Sequence, residues 1–444
     1  MIKTSAELSI INSKYDIQNQ DKRRWLEERN KAYNFYKGRT HKYTMDYFAG
    51  SLQSKLPIAN VNLTKRIIDR ISLVYMKPPQ REYSNPDIPE ILFNKNHKLQ
   101  RAERLTNLLE VILIHPCWRE DHIEYDIIRD FEPIFGDDPL TPIGITYPLQ
   151  VRSTVFDDTP ELWAYWDLEH HYVYDQNGKI YTNSENPDMI NPYGVLPFVE
   201  CFRDGKPESA YLDTDACPDL IATNSLINVA ETNKAANVMF QSFGYIYAQG
   251  SYIDSENLKV GQDQILNLGA DGSLGMVSPP NSIPALTESI KESYKMIAQN
   301  YHLQVSFVEG TTAESGVALK LRSQELTDER LSDVIRWKEI ELKLFELERL
   351  MIAVELGKDA GDLENIDFDE STEILSDQEQ RERWEWELSH GLIDVIDILM
   401  QKDPDKFPER KDAEAYLEER KQSQDDPVNE EQNQLLQALT SPVV

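Results

Sequence analysis

Two adjacent histidines, His170 and His171, stand beside Asp167 and Glu169 in the stretch WDLEHHYVYDQNGK and invite a metal. Imidazole and carboxylate are ordinary ligands of zinc. The surrounding residues are β-branched and aromatic, however, and successive side chains of a strand point to opposite faces. Adjacent histidines on a strand therefore do not converge on one ion, and no H-E-x-x-H spacing exists. The pair is expected to be strand residues of an aromatic-rich sheet. Asp175-Gln-Asn-Gly178 opens like a calcium loop but lacks the later acidic ligands. Asn177-Gly178 between HYVYDQ and KIYT reads instead as a hairpin turn. His115 and Cys117 flank Pro116 at what reads as a helix end, with no base to activate the thiol. There is no G-x-x-x-x-G-K-[ST] loop to cradle phosphates, and GADGSLG (269–275) lacks the context of one. Asn62-Leu63-Thr64 matches a glycosylation sequon, a chance match without a secretory signal. No catalytic residue, metal site or cofactor is expected.

Composition narrows the class further. The chain has 444 residues, enough for two or three domains, and 77 acidic residues against 46 basic ones give a net charge of −31. A surface of that sign does not adhere to phosphate backbones in general, although it suits a protein past which DNA must move. Three cysteines, Cys117, Cys201 and Cys217, form no C-x-x-C pair and point to a reducing compartment. The start shows no secretory h-region, and no apolar run reaches the length of a membrane span.

Residues 1–80 read as helical. DKRRWLEERNKAYNFYKG closes on Gly38; VNLTKRIIDRISLVYMKPP is capped by Asn62 and stopped by Pro78-Pro79. RAERLTNLLEVILIHPCWRE reads as one further apolar-striped helix. From about 140 to 210 the period changes to that of an antiparallel sheet. Residues 218–244 read as a helix from Pro218 to Gly244 with two internal charges, Glu231 and Lys234, and with Asn224, Asn228, Asn233 and Asn237. Such a helix packs against protein on most sides. Short strands fill 245–283, and a second helix follows at 284–302. A small-residue loop then leads into a long helix, 316–356. Its apolar stripe is Val334, Trp337, Ile340, Leu344, Leu347, Met351 and Val354, with Glu339/Lys343 and Asp333/Arg336 as pairs on the solvated flank. The tail reads as acidic helices split around Gly391, a third helix after Pro408, and a weakly ordered last twenty residues.

The order helix, β-rich excursion, helix, small-residue loop, long helix resembles the core of tailed-bacteriophage portal proteins. FYKGR with VNLTKRIIDRISLVYMKPPQ resembles the entry to the family's wing. WAYWDLEHHYVYDQNGKIY with NPYGVLPFVECF resembles its β-rich wing segment. SGVALKLRSQEL resembles the start of its long wing helix, and HGLIDVIDILMQKDPDKFPERKDAEAYLEE its helical crown.

The resemblance implies an α+β, predominantly helical portal fold. Its parts are a wing (1–217), a first stem helix (218–244), a clip (245–283), a second stem helix (284–302), a tunnel loop (303–315), a long wing helix (316–356), and a helical crown and tail (357–444). It implies a non-enzymatic ring of about twelve copies at one capsid vertex, through which double-stranded DNA is packaged and ejected. Implied partners are the terminase large subunit, a head–tail adaptor or neck protein, and the major capsid and scaffolding proteins, with no membrane. The implied location is the virion, after assembly in the host cytoplasm. The DNA-facing residues implied are Glu309, Gly310, Thr311, Thr312, Ala313, Glu314 and Ser315, with Lys291 and Lys295 facing the channel from the second stem helix. Small side chains and the free backbone of glycine suit a loop that lies against moving DNA. The competing readings are a monomeric helical scaffold or adaptor and a nucleic-acid-processing enzyme.

Overall fold

The computed structural model describes Lys3 and residues 20–48, 56–149, 162–182, 186–208, 210–243, 245–249, 273–277, 282–303, 316–368, 384, 388–389, 393–402, 410–411 and 413–417. Two compact units emerge: residues 1–312 with 322–371, and residues 313–321 with 372–444. The elements in order are α1 (Gln20–Tyr36), α2 (His41–Met45), α3 (Leu63–Ile71), a 3-10 turn (Val74–Met76), β1 (Gln80–Tyr83), α4 (Ile88–Ile91) and α5 (Lys95–Leu109). Strands β2 (Val111–Arg119), β3 (His122–Ile128), β4 (Glu132–Phe135), β5 (Pro142–Leu149), β6 (Leu162–Asp167), β7 (His171–Asp175), β8 (Ile180–Tyr181) and β9 (Val199–Phe202) follow. Then come α6 (Pro218–Phe243), β10 (Tyr245–Gln249), β11 (Ser273–Val277), α7 (Ile283–Asn300), α8 (Gly316–Leu356), β12 (Leu363–Asp367) and α9 (Val395–Lys402). The fold class is α+β.

Local chemistry explains the element ends. Gly38 takes φ +70° after α1. Its N–H donates to Phe35 O and that of Arg39 to Asn34 O, the paired bonds of a left-handed helix exit. Asn62 caps α3 by accepting from Lys65 N at 3.0 Å. That helix stops at Ser72, before the expected Pro78-Pro79, and a 3-10 turn fills the gap.

The stretch read as one helix over 101–120 is instead a helix and a strand. Glu110, at φ +65°, ends α5, and β2 begins at Val111. His115 and Cys117 thus lie within β2, not at a helix end. The reason lies in the two-sided burial of β2. Ile112 and Ile114 enter the core built from α1, α3, α5, α6 and α8; Val111 and Leu113 enter a second core with Trp25, Phe131, Ile145, Trp166 and Phe198. A strand buried on both faces carries a continuous apolar run and no alternation.

Two antiparallel sheets form the β-rich part: three strands in the order β3-β2-β9, and a five-stranded meander from β4 to β8. The Asn177-Gly178 hairpin joins β7 to β8 as expected, with Val173 opposite Tyr181 and Gly178 at φ +75°. The Asp175 carboxylate accepts from Asn177 N at 2.8 Å and Lys179 N at 3.0 Å. β10 and β11 pair antiparallel, Tyr245 opposite Val277, and residues 250–272 between them lie outside the described residues.

α6, at 26 residues, is roughly 39 Å long. It runs antiparallel to α7: Asn237 Nδ2 donates to Ser282 Oγ at one end, and Tyr301 OH donates to Asp219 Oδ1 at the other. α8 buries Trp337, Ile340, Leu344 and Met351, and half-buries Val334 and Leu347. Val354 is an exception to the expected stripe, 44 % exposed, because the last turn runs out of the core before Gly357 at φ +62°. The pair Asp333/Arg336 forms, Arg336 Nη2 donating to Asp333 Oδ1 at 2.5 Å, but not on a solvated flank, since Asp333 is only 7 % exposed. After α8 the chain returns as β12 to pair with β1, Gln80 opposite Asp367.

In the second unit α9 carries a reciprocal cap. Asp394 N donates to Asp397 Oδ2 and Asp397 N to Asp394 Oδ1, both at 2.9 Å. Arg410 joins both carboxylates.

Candidate channel elements and their anchorage

The loop residues Glu309, Gly310, Thr311, Thr312, Ala313, Glu314 and Ser315 lie outside the described residues. The elements on either side, α7 and α8, are described. On α7, Lys291 is exposed and Lys295, one turn later, is half-buried. Ile290, Ile297 and Ala298 are the buried residues of that helix, and at 3.6 residues per turn Lys291 projects next to Ala298 with Lys295 just beyond, so the two lysines lie together on the flank of the buried face, whereas Glu288, Glu292 and Met296 lie opposite it.

The low charge and polar character of α6 have a local cause. Asn224, Asn228 and Thr232 recur every four residues and so share one face of the helix. That face meets the extended segment 59–62 and the first turn of α3 and acts as their hydrogen-bonding partner. Thr232 Oγ1 accepts from Ala59 N at 3.0 Å, and Asn228 Oδ1 from Val61 N at 2.7 Å. Asn224 Oδ1 accepts from Thr64 N at 3.0 Å, while its Nδ2 donates to Val61 O at 2.8 Å. Each buried amide of that segment would otherwise lack a partner. Of the four asparagines noted in the sequence, Asn224 and Asn228 are consumed within the chain, Asn237 reaches α7, and Asn233 is exposed. The opposite face of α6 presents Ala222 and Leu226, the latter 57 % exposed.

α8 is held by charges that sequence reasoning missed. Glu341 and Glu348 lie seven residues apart inside the apolar stripe and are both fully buried. Arg81 from β1 donates to Glu341 through Nε at 2.9 Å and through Nη2. Lys95 Nζ lies 3.3 Å from Glu341 and 2.8 Å from Glu348. Tyr75 OH donates to Glu341 at 2.8 Å, and Tyr125 OH to Glu348 at 2.7 Å. Two cations, two carboxylates and two phenols close the network. Burial pushes the Glu341 carboxyl up, but Lys95 and Arg81 outweigh it and hold the group below the usual carboxylate range. Burial pushes Lys95 down; Glu348 and Glu341 more than reverse this. A cleft of about 450 Å³ opens beside the network between Arg81, Tyr83, Pro89, Asn94, Lys95 and His97. Its two strong cations are already neutralised by Glu341 and Glu348, so it has no net charge to offer a ligand.

A second acidic junction is different in kind. Glu103 accepts from Val74 N at 2.8 Å and Tyr75 N at 3.1 Å, closing the 3-10 turn. Burial pushes its carboxyl up to about 7 against those two donors. Glu110 also reaches about 7 through burial, with Arg203 at 3.1 Å opposing. Burial raises Asp333, with Arg336 in opposition.

The histidines and cysteines of the β-rich part have structural roles. His171 stacks on Trp166 at 3.6 Å between ring centroids. His170 Nδ1 lies 3.2 Å from Asp167. Burial lowers His115 to about 4, and its Nδ1 meets Pro197 O at 2.7 Å. The Cys117 and Cys217 thiols are both pushed up by burial, Cys217 to about 12, which disfavours the thiolate a nucleophile needs. No three His, Cys, Asp or Glu residues are grouped to hold a metal among the described residues. No helix among them is long and apolar enough to cross a membrane.

No family profile and no curated protein matches the sequence. Among solved structures, the chain is similar to one in the virion of a native gene transfer agent particle, with a TM-score of 0.35 and 12 % identity, covering 74 % of this chain and 96 % of that one. A superposition of that quality does not establish a shared fold.

Proposed function

We propose that this chain is a portal subunit, one of about twelve that surround a channel for double-stranded DNA at a capsid vertex. The observation that carries the reading is the α6–α7 pair. Two antiparallel helices hold a two-stranded ribbon, β10–β11, between their ends. Such a ribbon alone is marginally stable, and neighbouring copies in a ring would extend it. The exposed face of α6 carries Ala222, Leu226 and Asn233, with Asp219 its one carboxylate, held by Tyr301 of the α7 end, as suits contact with an adjacent copy. Residues 303–315 would then line the constriction, with Glu309 and Glu314 repelling phosphate and α8 fixing each loop to the wing. Lys291 and Lys295 would face the channel. Terminase, neck, capsid and scaffolding proteins would be the partners, and the virion the location.

Light scattering tests the ring. Twelve chains of 51.4 kDa give a particle on the order of 600 kDa, with a central hole in negative stain. Leu226→Glu should lower that mass and leave the circular dichroism unchanged. A monomer at micromolar concentration across physiological salt would overturn the proposal. For the loop, changing Glu309 and Glu314 to Lys should leave rings intact and slow DNA passage in a salt-dependent way. Unchanged passage through intact rings would remove the loop assignment.

A further inference from the structure

We infer that the surface formed by the C-terminal end of α1, by α2 and by α3 binds a nucleic-acid phosphate backbone. Residues 20–71 carry 12 basic and 5 acidic residues, net +7, in a chain whose remainder is −38. The structure gathers six of the twelve, while Arg29 is buried and Arg23 and Arg24 pair with Glu27 and Glu28. Asn60 Nδ2 donates to Gly38 O at 2.7 Å and Asn62 Nδ2 to Tyr36 O at 3.0 Å, so the N-terminus of α3 sits against the end of α1. Lys37, Arg39, His41, Lys42, Lys65, Arg66 and Arg70 are all exposed there. Lys65 pairs with Asp69. Lys37, Arg39, Lys42 and Arg70 have no carboxylate at ion-pair distance among the described residues.

Aromatic rings are interleaved with the cations. Lys37 Nζ lies 5.6 Å from the Tyr33 ring centre, Lys31 Nζ 5.9 Å from Tyr43 and Lys65 Nζ 5.2 Å from Tyr36. Lysine stems laid on rings hold their charged heads toward water. Tyr47, 66 % exposed, adds a ring on which a base can stack. Cations with aromatic platforms suit a polyphosphate chain with bases better than an acidic peptide, which has no flat face to stack. The surface lies on a single subunit, so the inference does not rest on the ring reading.

The probe is a fluorescein-labelled 20-base-pair DNA of mixed sequence, with the single strand beside it, read by anisotropy against the full chain. Three to four phosphate contacts give a slope of log affinity on log salt of roughly −3 to −4, or about a hundredfold loss from 50 to 200 mM salt. The triple change Lys37→Glu, Arg39→Glu, Lys42→Glu should weaken binding at least tenfold and flatten that slope to near zero. The control Lys179→Glu, Lys338→Glu, Lys343→Glu changes net charge equally at exposed sites and should stay within about twofold. Circular dichroism of both variants establishes folding. No binding at 50 mM salt overturns the inference, as do equal losses in the two triple variants. Salt-sensitive self-association lost in the first triple without DNA binding would assign the surface to the acidic part of another copy instead. Rings that ignore DNA here would refute this inference alone; monomers that bind it would refute the ring alone.

Discussion

Replacing Glu341 with Gln removes one charge and almost no volume from the centre of the α8 network. Arg81 and Lys95 can only donate, so the new amide group must point its own donors at a donor. Tyr75 keeps an acceptor. Two buried cations are left against Glu348 alone. Removing one partner of a buried pair costs about 3–5 kcal/mol, because the remaining charge stays desolvated. Lys95→Met alone leaves Arg81 as the one cation facing two carboxylates and should cost a similar amount. The double variant restores charge balance, so its cost should fall short of the sum by about 1.5–3 kcal/mol. Urea unfolding at pH 7, followed by circular dichroism and tryptophan fluorescence, supplies all four values. Glu341 also fixes a sign with pH. Its folded-state value is depressed, so its contribution is present above the ordinary carboxylate range and is lost as pH falls through the folded value. A Glu341→Gln cost below about 1 kcal/mol, or strict additivity in the double variant, would refute this account.

Asn228→Ala strands the Val61 amide and should destabilise by about 1–3 kcal/mol. Hydrogen exchange should show lost protection at Val61 before the core responds. Glu103 shows the opposite pH sign to Glu341. Its folded value near 7 means the protonated fold is favoured below the ordinary carboxylate range, and that contribution is lost as pH rises through about 7. Glu103→Gln should therefore gain on the parent protein as pH goes from 5 to 8, read from urea midpoints; a pH-independent difference would refute it.

Three helices were legible because their ends are chemically marked. Pro218 opens α6, Pro284 sits in the first turn of α7, and Gly357 closes α8 in a left-handed conformation. The Asn177-Gly178 hairpin was legible for the same reason. β2 was not: Val111-Ile112-Leu113-Ile114 serves two cores at once, and the alternation that announces a strand disappears. Glu341 and Glu348 were missed because a carboxylate on a charged helix reads as solvated. Their heptad spacing on the same face as Trp337 and Leu344 was the signal available. Asn224 and Asn228 mark α6 in the sequence as a helix packed against protein on most sides, but periodicity within one helix cannot say which backbone a side-chain amide will reach. The cationic surface on α1–α3 was hidden by the chain's overall negative charge.

The contact between Lys95 and Glu348 joins residues 253 positions apart. On a ribosome adding 5–20 residues per second, about 13–50 s separate the synthesis of the ammonium from that of its carboxylate. During that interval the nascent chain holds α5 and β1 with both cations uncompensated, so these elements cannot settle into their final low-dielectric setting. The first unit therefore finishes folding only after α8 has left the exit tunnel. Truncated products that end before Glu341 should remain open and soluble only with chaperone help.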